Sequence, residues 1–319
     1  MAKKAVHETD LEALELLHRG KVRDTYGIPE HPDKLLMIAT DRISAYDVVM
    51  EDPIIGKGAV LTIMTLFWLP FLKDVVSNHL ITADVNMYPE ICKQYEEILW
   101  TRSMLVKKLT PLPVECIVRG YISGSFWSAY KKASPVADGT KNVLGCALRS
   151  DMLESEQFDK VLFTPSTKAD AGEHDENISI AQMKEILVIF LQEHNLNTID
   201  PDVFSRDVER ISLELYKKAA TYALERGIII ADTKFELGID ELGNLHLIDE
   251  VLTPDSSRFW PLDRYAIGRG QPSFDKQILR DYLTSSGWNK KPPPPEVPLK
   301  VLHQTADAYA VAERMLLST

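Results

Sequence analysis

Cysteine is scarce in this chain: Cys92, Cys116 and Cys146 are scattered through 319 residues. Their odd number and spacing exclude a disulfide framework and a thiolate metal knuckle, so reduced, inert thiols in a cytoplasmic protein are expected. Positive charge is also in deficit, with 36 Lys and Arg against 47 Asp and Glu and a net charge of -11. A nucleic-acid binder needs a basic footprint, so no such partner is expected. A few local cations can still set the field of a cleft for small anions. Long apolar runs are missing too. The most apolar stretch, residues 59–72, is too short to cross a bilayer and contains Pro70, so it reads as a buried helix ending near that proline. The opening residues, MAKKAVHETD, have no apolar core after their lysines, and no secretory signal is expected. No internal repeat, Walker A loop or long low-complexity segment is found. What remains is an ordinary globular composition, 45% hydrophobic and 26% charged, in a chain long enough for one large domain or two modest ones.

The chain is organised around residues 228–258, IIIADTKFELGIDELGNLHLIDEVLTPDSSR. Two β-rich runs, 228–239 and 245–252, flank Asp240-Glu241-Leu242-Gly243-Asn244, whose Gly and Asn suit a hairpin. A reversal centred on Leu242 and Gly243 sets Glu236 opposite Asp249, with Lys234 and Asp232 further along the same face. Ile228, Ile230, Leu247 and Val251 are expected on that face as well. Two like charges roughly 5 Å apart repel by about 3 kcal/mol at an effective dielectric of about 20. A hard divalent cation sharing phosphate oxygens turns that repulsion into attraction, which makes the hairpin a candidate floor for a metal–nucleotide site. An exposed hairpin, its acids in water and paired with Lys234, accounts for the same residues.

Upstream, Gly20 beside Lys21 permits a tight turn that brings amides and an ammonium onto phosphates, or a plain solvated hairpin. A turn region at 27–33 and a strand at 34–39 follow. In TDRISAYD (40–47), Arg42 and Ser44 are candidate contacts for an anion, with Asp41 orienting Arg42; a capped loop with a local ion pair is the alternative. Gly56-Lys57-Gly58 reads as a flexible joint into the apolar helix. After a strand at 104–109, Pro111-Leu112-Pro113 suggests a hinge between a β-rich unit (1–112) and a larger α+β unit (113–319) with a helical C-terminal extension.

A strand at 114–122, the turn Ser123-Gly124-Ser125 and a helix at 126–132 form an arrangement that binds phosphate through amides and hydroxyls. Arg119 can add a bidentate contact, and N-capping by Ser123 or Ser125 is compatible with either role. The polar loop 163–177, with Lys168, His174 and Asp175, leads into an amphipathic helix at 179–192. A long helix at 200–226 has Pro201 in its first turn and Gly227 as its cap. Further helices are expected from 273 and over 301–317, joined by a stiff proline-rich connection.

Taken in order, GKVRDTY, TDRISAYD, GKGAVLT, VRGYISGS, FTPSTKADAGEHDEN, KFELGID, IDEVLTPDSSRFW and SFDKQILRD resemble the SAICAR synthetase family, over residues 19–280. The resemblance implies an α+β fold with an antiparallel sheet in a smaller N-terminal domain, a larger α+β domain, and a kinase-like ATP cleft between them. It implies a ligase of purine biosynthesis that joins L-aspartate to the carboxylate of carboxyaminoimidazole ribotide, with ATP and Mg²⁺. A carboxylate does not accept an amine at neutral pH unless it is activated, most simply as an acyl phosphate. That chemistry asks for phosphate donors, a metal and positioning more than for a covalent nucleophile.

Carried over by position, the resemblance assigns Gly20, Lys21, Val22 and Arg23 to ATP, and Glu236 and Asp249, with Lys234 beside them, to Mg²⁺–ATP. Arg119, Gly124, Ser125 and Arg258 would hold the ribotide, and Asp41, Arg42, Ser44, Asp255 and Ser256 would complete its pocket. Lys168, His174, Asp175 and Lys276 would contact aspartate or close the site, and Asp232 is the candidate to deprotonate the aspartate amine. The partners implied are these small molecules, with no nucleic acid and no membrane, and a monomer is favoured. A kinase-like phosphotransferase would share the metal hairpin but needs an HRD-type catalytic loop, which is not found. A nucleotide-binding protein that has lost catalysis is the other alternative. Three places depart from the family pattern: Phe126 after Ser125, Leu148-Arg149-Ser150-Asp151, and Ile63.

Overall fold

The computed structural model describes residues 5–168 and 175–318, so His174 lies outside the described residues. Two sheets organise the chain. The smaller has five antiparallel strands in the order Glu15–Arg19, Arg23–Ile28, His31–Ala39, Ser103–Lys107 and Leu80–Thr82. Alternation along its second strand turns Asp24, Tyr26 and Ile28 inward. There Tyr26, Leu36, Ile38 and Leu105 pack with Val85, Tyr88, Cys92 and Leu99 in a core of their own. The reversal after Ile28 needs only Pro29 and Glu30, shorter than the turn read from the sequence, because Glu30 takes the left-handed position at φ 66°.

The larger sheet is built on the strand Ile228–Ile239. One edge of it pairs with Val114–Tyr121, which sets Arg119 across from Asp232. Its other edge pairs with Ser257–Pro261 near the start and Leu245–Ile248 near the end. The chain joining those two partners, residues 249–256, therefore crosses a gap beside Lys234 and Glu236. The Lys234 amide donates to the Ser256 carbonyl there at 2.9 Å.

Helices Lys57–Phe71, Ile180–Glu193, Pro201–Glu225 and Leu299–Leu317 add Trp68, Leu187, Leu215 and Leu316 to the main core of this sheet. Their ends follow local chemistry. Ser179 and Gln182 form a capping box, the Asp200 carboxylate accepts from the Asp202 and Val203 amides, and Gly227 at φ 75° stops the longest helix. Among the described residues no helix is long and apolar enough to cross a membrane.

The central hairpin sits one residue away from the expected register: Glu236 pairs with Ile248, and Leu237 with Leu247. The loop is the cause. The Asp240 amide donates to the Asn244 carbonyl at 3.2 Å and the Gly243 amide to the Asp240 carbonyl at 3.0 Å, so Glu241, Leu242 and Gly243 make a three-residue reversal. Gly243, at φ 81°, supplies the left-handed position such a loop needs. Asp249 consequently does not stand opposite Glu236, and the second strand ends at Ile248.

The face is also different from the one expected. Ile228 and Ile230 join the main core together with Phe235, Leu237 and Ile239, so core-facing positions change from even to odd numbers. The change accompanies a register irregularity between Ile230 and Asp232. Asp232, Lys234 and Glu236 are thereby freed from the apolar face, and Leu247 goes to the core with Leu237.

Candidate active site

A cavity of about 630 Å³ is lined from both sheets. Gly20, Lys21, Val22 and Arg23 come from the first hairpin, and Ser44, Tyr46 and Asp47 from the loop after the third strand. Lys168, Asp175, Lys234, Glu236, Asp249, Glu250, Asp255, Lys276 and Arg280 line the rest.

The acids expected to face each other both line this cavity. Asp249 has φ 62°, outside the strand conformation, and its carboxylate pairs with Arg23, which also lies 3.1 Å from Glu250. Left-handed backbone at a non-glycine residue costs on the order of 1 kcal/mol and concentrates at functional sites. Glu236 is held by Lys168 and lies 3.5 Å from the Lys234 ammonium, which itself pairs with Glu115. Burial pushes the Glu236 carboxyl up, but Lys234 and Lys168 outweigh it and hold it below the ordinary range. Burial raises the Asp249 carboxyl; Arg23 opposes this, while the charges of Glu236 and Glu250 push it further up.

A second cavity, of about 660 Å³, is lined by Ser123, Gly124, Trp127, Lys131, Arg258, Trp260 and Arg269 among others. Beside it, Asp232 accepts from Arg258, and from Arg119 Nη1 at 3.2 Å. Arg119 Nε also donates to the Thr164 hydroxyl at 2.9 Å. The two cavities share a helix: Lys276 and Arg280 face the first, Gln277 and Asp281 the second.

The family model for SAICAR synthetase matches residues 16–295 of this chain. The chain belongs to the SAICAR synthetase family. Its relatives agree. The phosphoribosylaminoimidazole-succinocarboxamide synthase of Desulfotalea psychrophila is 54% identical over 305 residues, covering 96% of each chain. That of Maridesulfovibrio salexigens is 51% identical over 313 residues, covering 98% of this chain and 97% of the other. The solved SAICAR synthase of Saccharomyces cerevisiae, complexed with SAICAR, superimposes with a TM-score of 0.82 at 41% identity, covering 99% of both chains. The α+β fold implied by the motifs is the fold observed, and the family membership makes the chain a ligase of purine biosynthesis.

Within this SAICAR synthetase fold, several residues expected at the substrates work from behind the cavities. Asp41 is buried, its Oδ1 accepting from the Gly58 amide at 3.0 Å and from Arg102 at 3.1 Å. It does not orient Arg42; Asp24 does, at 2.6 Å. Arg42 spends its other donors on the carbonyls of His7, Gly20 and Lys21, and so braces the Gly20-Lys21 turn from below. Ser256 closes a turn, its hydroxyl accepting from the Thr253 amide at 3.2 Å. Ser125 is exposed in the first turn of a helix that begins at Gly124, two residues earlier than expected.

Arg119 is buried over the Phe126 ring, 5.3 Å from its centroid. Phe126 points into a core with Tyr130, Leu148 and Phe158, so it does not crowd the start of that helix. Leu148 anchors a small ribbon to the same core, and Ile63 is 38% exposed on its helix; neither departure lines either of these two cavities. Asp232 is committed to two guanidinium groups and the Ser123 hydroxyl. All three bonds fall on Oδ2, so Asp232 anchors both arginines.

Lys57 is the residue the sequence reading missed most completely. It is fully buried and lies 2.7 Å from Asp255, unlike the flexible joint that two flanking glycines suggested. Glu115, Glu250 and Arg280 were also missed. Glu250 had a signal, since it adjoins Asp249 in a paired-acid run; Arg280 lies in the quoted SFDKQILRD run, and Glu115 lies in none of the quoted motifs.

The donor set fits Mg²⁺ in one way only. Among the described residues no group of three or more His, Cys, Asp or Glu forms a metal cage. Mg²⁺ is usually held by one or two carboxylates with phosphate oxygens and water completing the shell. Glu236 and Asp249 offer that pair: burial raises the Asp249 carboxyl, and the charges of Glu236 and Glu250 add to the push that a cation there would relieve.

Gly124 is a position where no side chain fits. It has φ 58°, and a Cβ would run into the Arg258 guanidinium. Gly124→Ala is expected to cost about 1 kcal/mol of stability from the backbone alone. If Arg258 holds the ribotide, as the resemblance implies, its displacement should also raise the ribotide KM severalfold. Thermal denaturation and steady-state kinetics would check the two effects separately.

Proposed function

We propose that ATP and Mg²⁺ bind in the cavity lined by Lys21, Arg23, Glu236 and Asp249, and that the chain there joins L-aspartate to carboxyaminoimidazole ribotide. The products are the succinocarboxamide ribotide, ADP and phosphate. One observation carries this reading: motifs spread from Gly20 to Lys276 converge on a single cavity in a chain of the SAICAR synthetase family. The yeast relative was solved with SAICAR, which supports the same product here. Residues 1–112 and 113–319 would form the two sides of a kinase-like cleft, although Ser77–Asn78 already pairs with the second sheet. The setting would be the cytoplasm, with small molecules as partners.

In this reading Lys21 leaves Asp47 for the phosphates, and the Gly20-Lys21 turn, braced by Arg42, keeps its shape as it does so. Mg²⁺ would supply charge neutralisation at the phosphate oxygens. Arg258, fixed by Asp232, grips the ribotide, which spans from the second cavity toward Lys276 and Arg280. The ribotide carboxylate attacks the γ-phosphorus and ADP departs; the aspartate amine then attacks the acyl carbon, phosphate leaves with its bridging oxygen, and the amide nitrogen releases its proton to water. The fixed cations act by positioning and by meeting charge as it develops.

The test is ADP release with Mg-ATP, L-aspartate and the ribotide, each omitted in turn. ADP should appear only when all three are present, together with the succinocarboxamide product. Consumption of ATP without aspartate would make the site a phosphotransferase or hydrolase.

A further inference from the structure

The helix Leu299–Leu317 lies beyond the segment that the family model matches, which ends at residue 295. It nevertheless reaches the cavity wall. Tyr309, fully buried, donates its hydroxyl to Asp255 Oδ1 at 2.7 Å. The other carboxylate oxygen, Oδ2, lies 2.7 Å from the Lys57 ammonium and 3.2 Å from the Lys276 ammonium. Three distant parts of the chain thus meet on one carboxylate: the start of the Lys57–Phe71 helix, the residue before the Gln277–Ser285 helix, and the C-terminal helix.

The division of labour between the two oxygens has a consequence. A carboxylate facing two ammonium groups would ordinarily give one oxygen to each. Here Tyr309 bonds Oδ1 and both lysines lie on Oδ2, with Lys276 the more distant of the two. Lys276 lines the cavity. Its ammonium is therefore anchored by one contact, the longer of the two on Oδ2, and its other N–H donors stay available to an anion in the cavity.

The tyrosine is suited to this task. Burial, and then the neighbouring Asp255 charge, push its hydroxyl well above the ordinary phenol range, so it remains a donor. Burial works against the Asp255 charge, but Lys276, Lys57 and Tyr309 outweigh it and keep the carboxyl well below the ordinary range.

We infer that Tyr309 is a positioning residue of the active site: by occupying one oxygen of Asp255 it holds the Lys276 ammonium toward the cavity for a carboxylate or phosphate of a substrate. This rests on the proposed reading of Lys276 as a substrate contact. Without the hydroxyl, Asp255 can rotate to give Lys276 an oxygen of its own, and the ammonium withdraws into an internal ion pair.

Three variants test the inference: Lys276→Met, Tyr309→Phe and the double variant, with kcat and the KM of ATP, ribotide and aspartate measured for each. Lys276→Met should raise the KM of one substrate. Tyr309→Phe should raise that same KM by about three- to tenfold, the usual effect of one lost hydrogen bond, and leave the other two unchanged. The double variant should be no worse than Lys276→Met alone, because Tyr309 acts through Lys276. A lowered melting temperature with all kinetic constants intact would show Tyr309 to be merely structural and overturn the inference.

If Lys276→Met itself changes no KM, the reading of Lys276 falls and takes the inference with it. If Tyr309→Phe does not accumulate as folded protein, Asp255→Asn is the second variant. It keeps an acceptor for the tyrosine but discharges the carboxylate that the lysines share. It should alter the same KM as Lys276→Met, and an effect on a different substrate would overturn the inference.

Discussion

Glu236→Gln is expected to lower turnover about a thousandfold while the protein stays folded, an effect of the size seen when a group meeting developing charge is removed. The amide keeps the volume and one acceptor but not the charge. Two opposing consequences follow in the folded protein. The Glu236 carboxyl is held low by Lys234 and Lys168, so its ionised form contributes stability above the unfolded carboxyl pKa, and the substitution forfeits that contribution. At the same time Asp249, raised partly by the Glu236 charge, is relieved. Lys234 keeps Glu115 as a partner, so no buried ammonium is stranded. The melting temperature should therefore move by only a few degrees while activity collapses and the Mg²⁺ requirement rises. A Glu236→Gln enzyme with normal turnover would end the metal-site reading.

How much of this could be read in the sequence divides along a physical line. Strands and helices were legible where period and capping residues are local, as in the strand Ile228–Ile239 and the helix capped by Asp200 and Gly227. The register was not. One extra residue in the loop moves every partner by one place, and the identity of Gly243 alone does not say whether two or three residues make the reversal.

Glu236 and Asp249 still line one cavity, and Asp249 takes a left-handed backbone there, which no pattern of hydrophobicity announces. Burial of charge was equally hidden. Asp41, Arg42 and Lys57 look like ligand contacts or solvated residues on paper. Each is buried because its partner comes from far along the chain: Arg102, Asp24 and Asp255 respectively.

The same long-range pairing explains why the site is stiff enough to work. Asp232 and Asp255 each hold two cations from behind, so that Arg258 and Lys276 enter the site with restricted freedom, and Asp24 fixes Arg42 beneath the Gly20-Lys21 turn. Cations held in advance lose less entropy when an anionic ligand arrives and need no reorganisation during reaction. A net negative chain can in this way present a locally positive cavity wall.

Arg258→Ala is the variant that tests this arrangement most directly, and it should raise the ribotide KM about a hundredfold. A hydrogen bond to a charged group contributes about 1.5–3 kcal/mol, and a two-pronged contact to phosphate or carboxylate lies at the upper end. The KM of ATP should change by less than about twofold, because Arg258 lines the second cavity and not the one beside Lys21 and Glu236. Stability should survive, since Asp232 retains Arg119 at 3.2 Å and is not left as an unpaired buried charge. Arg258→Lys should recover only part of the loss: a single ammonium restores the charge but not the planar fork that Asp232 and the ligand hold from opposite sides. Equal increases in the KM of ribotide and ATP would show that Arg258 supports the whole cleft and not the ribotide end of it.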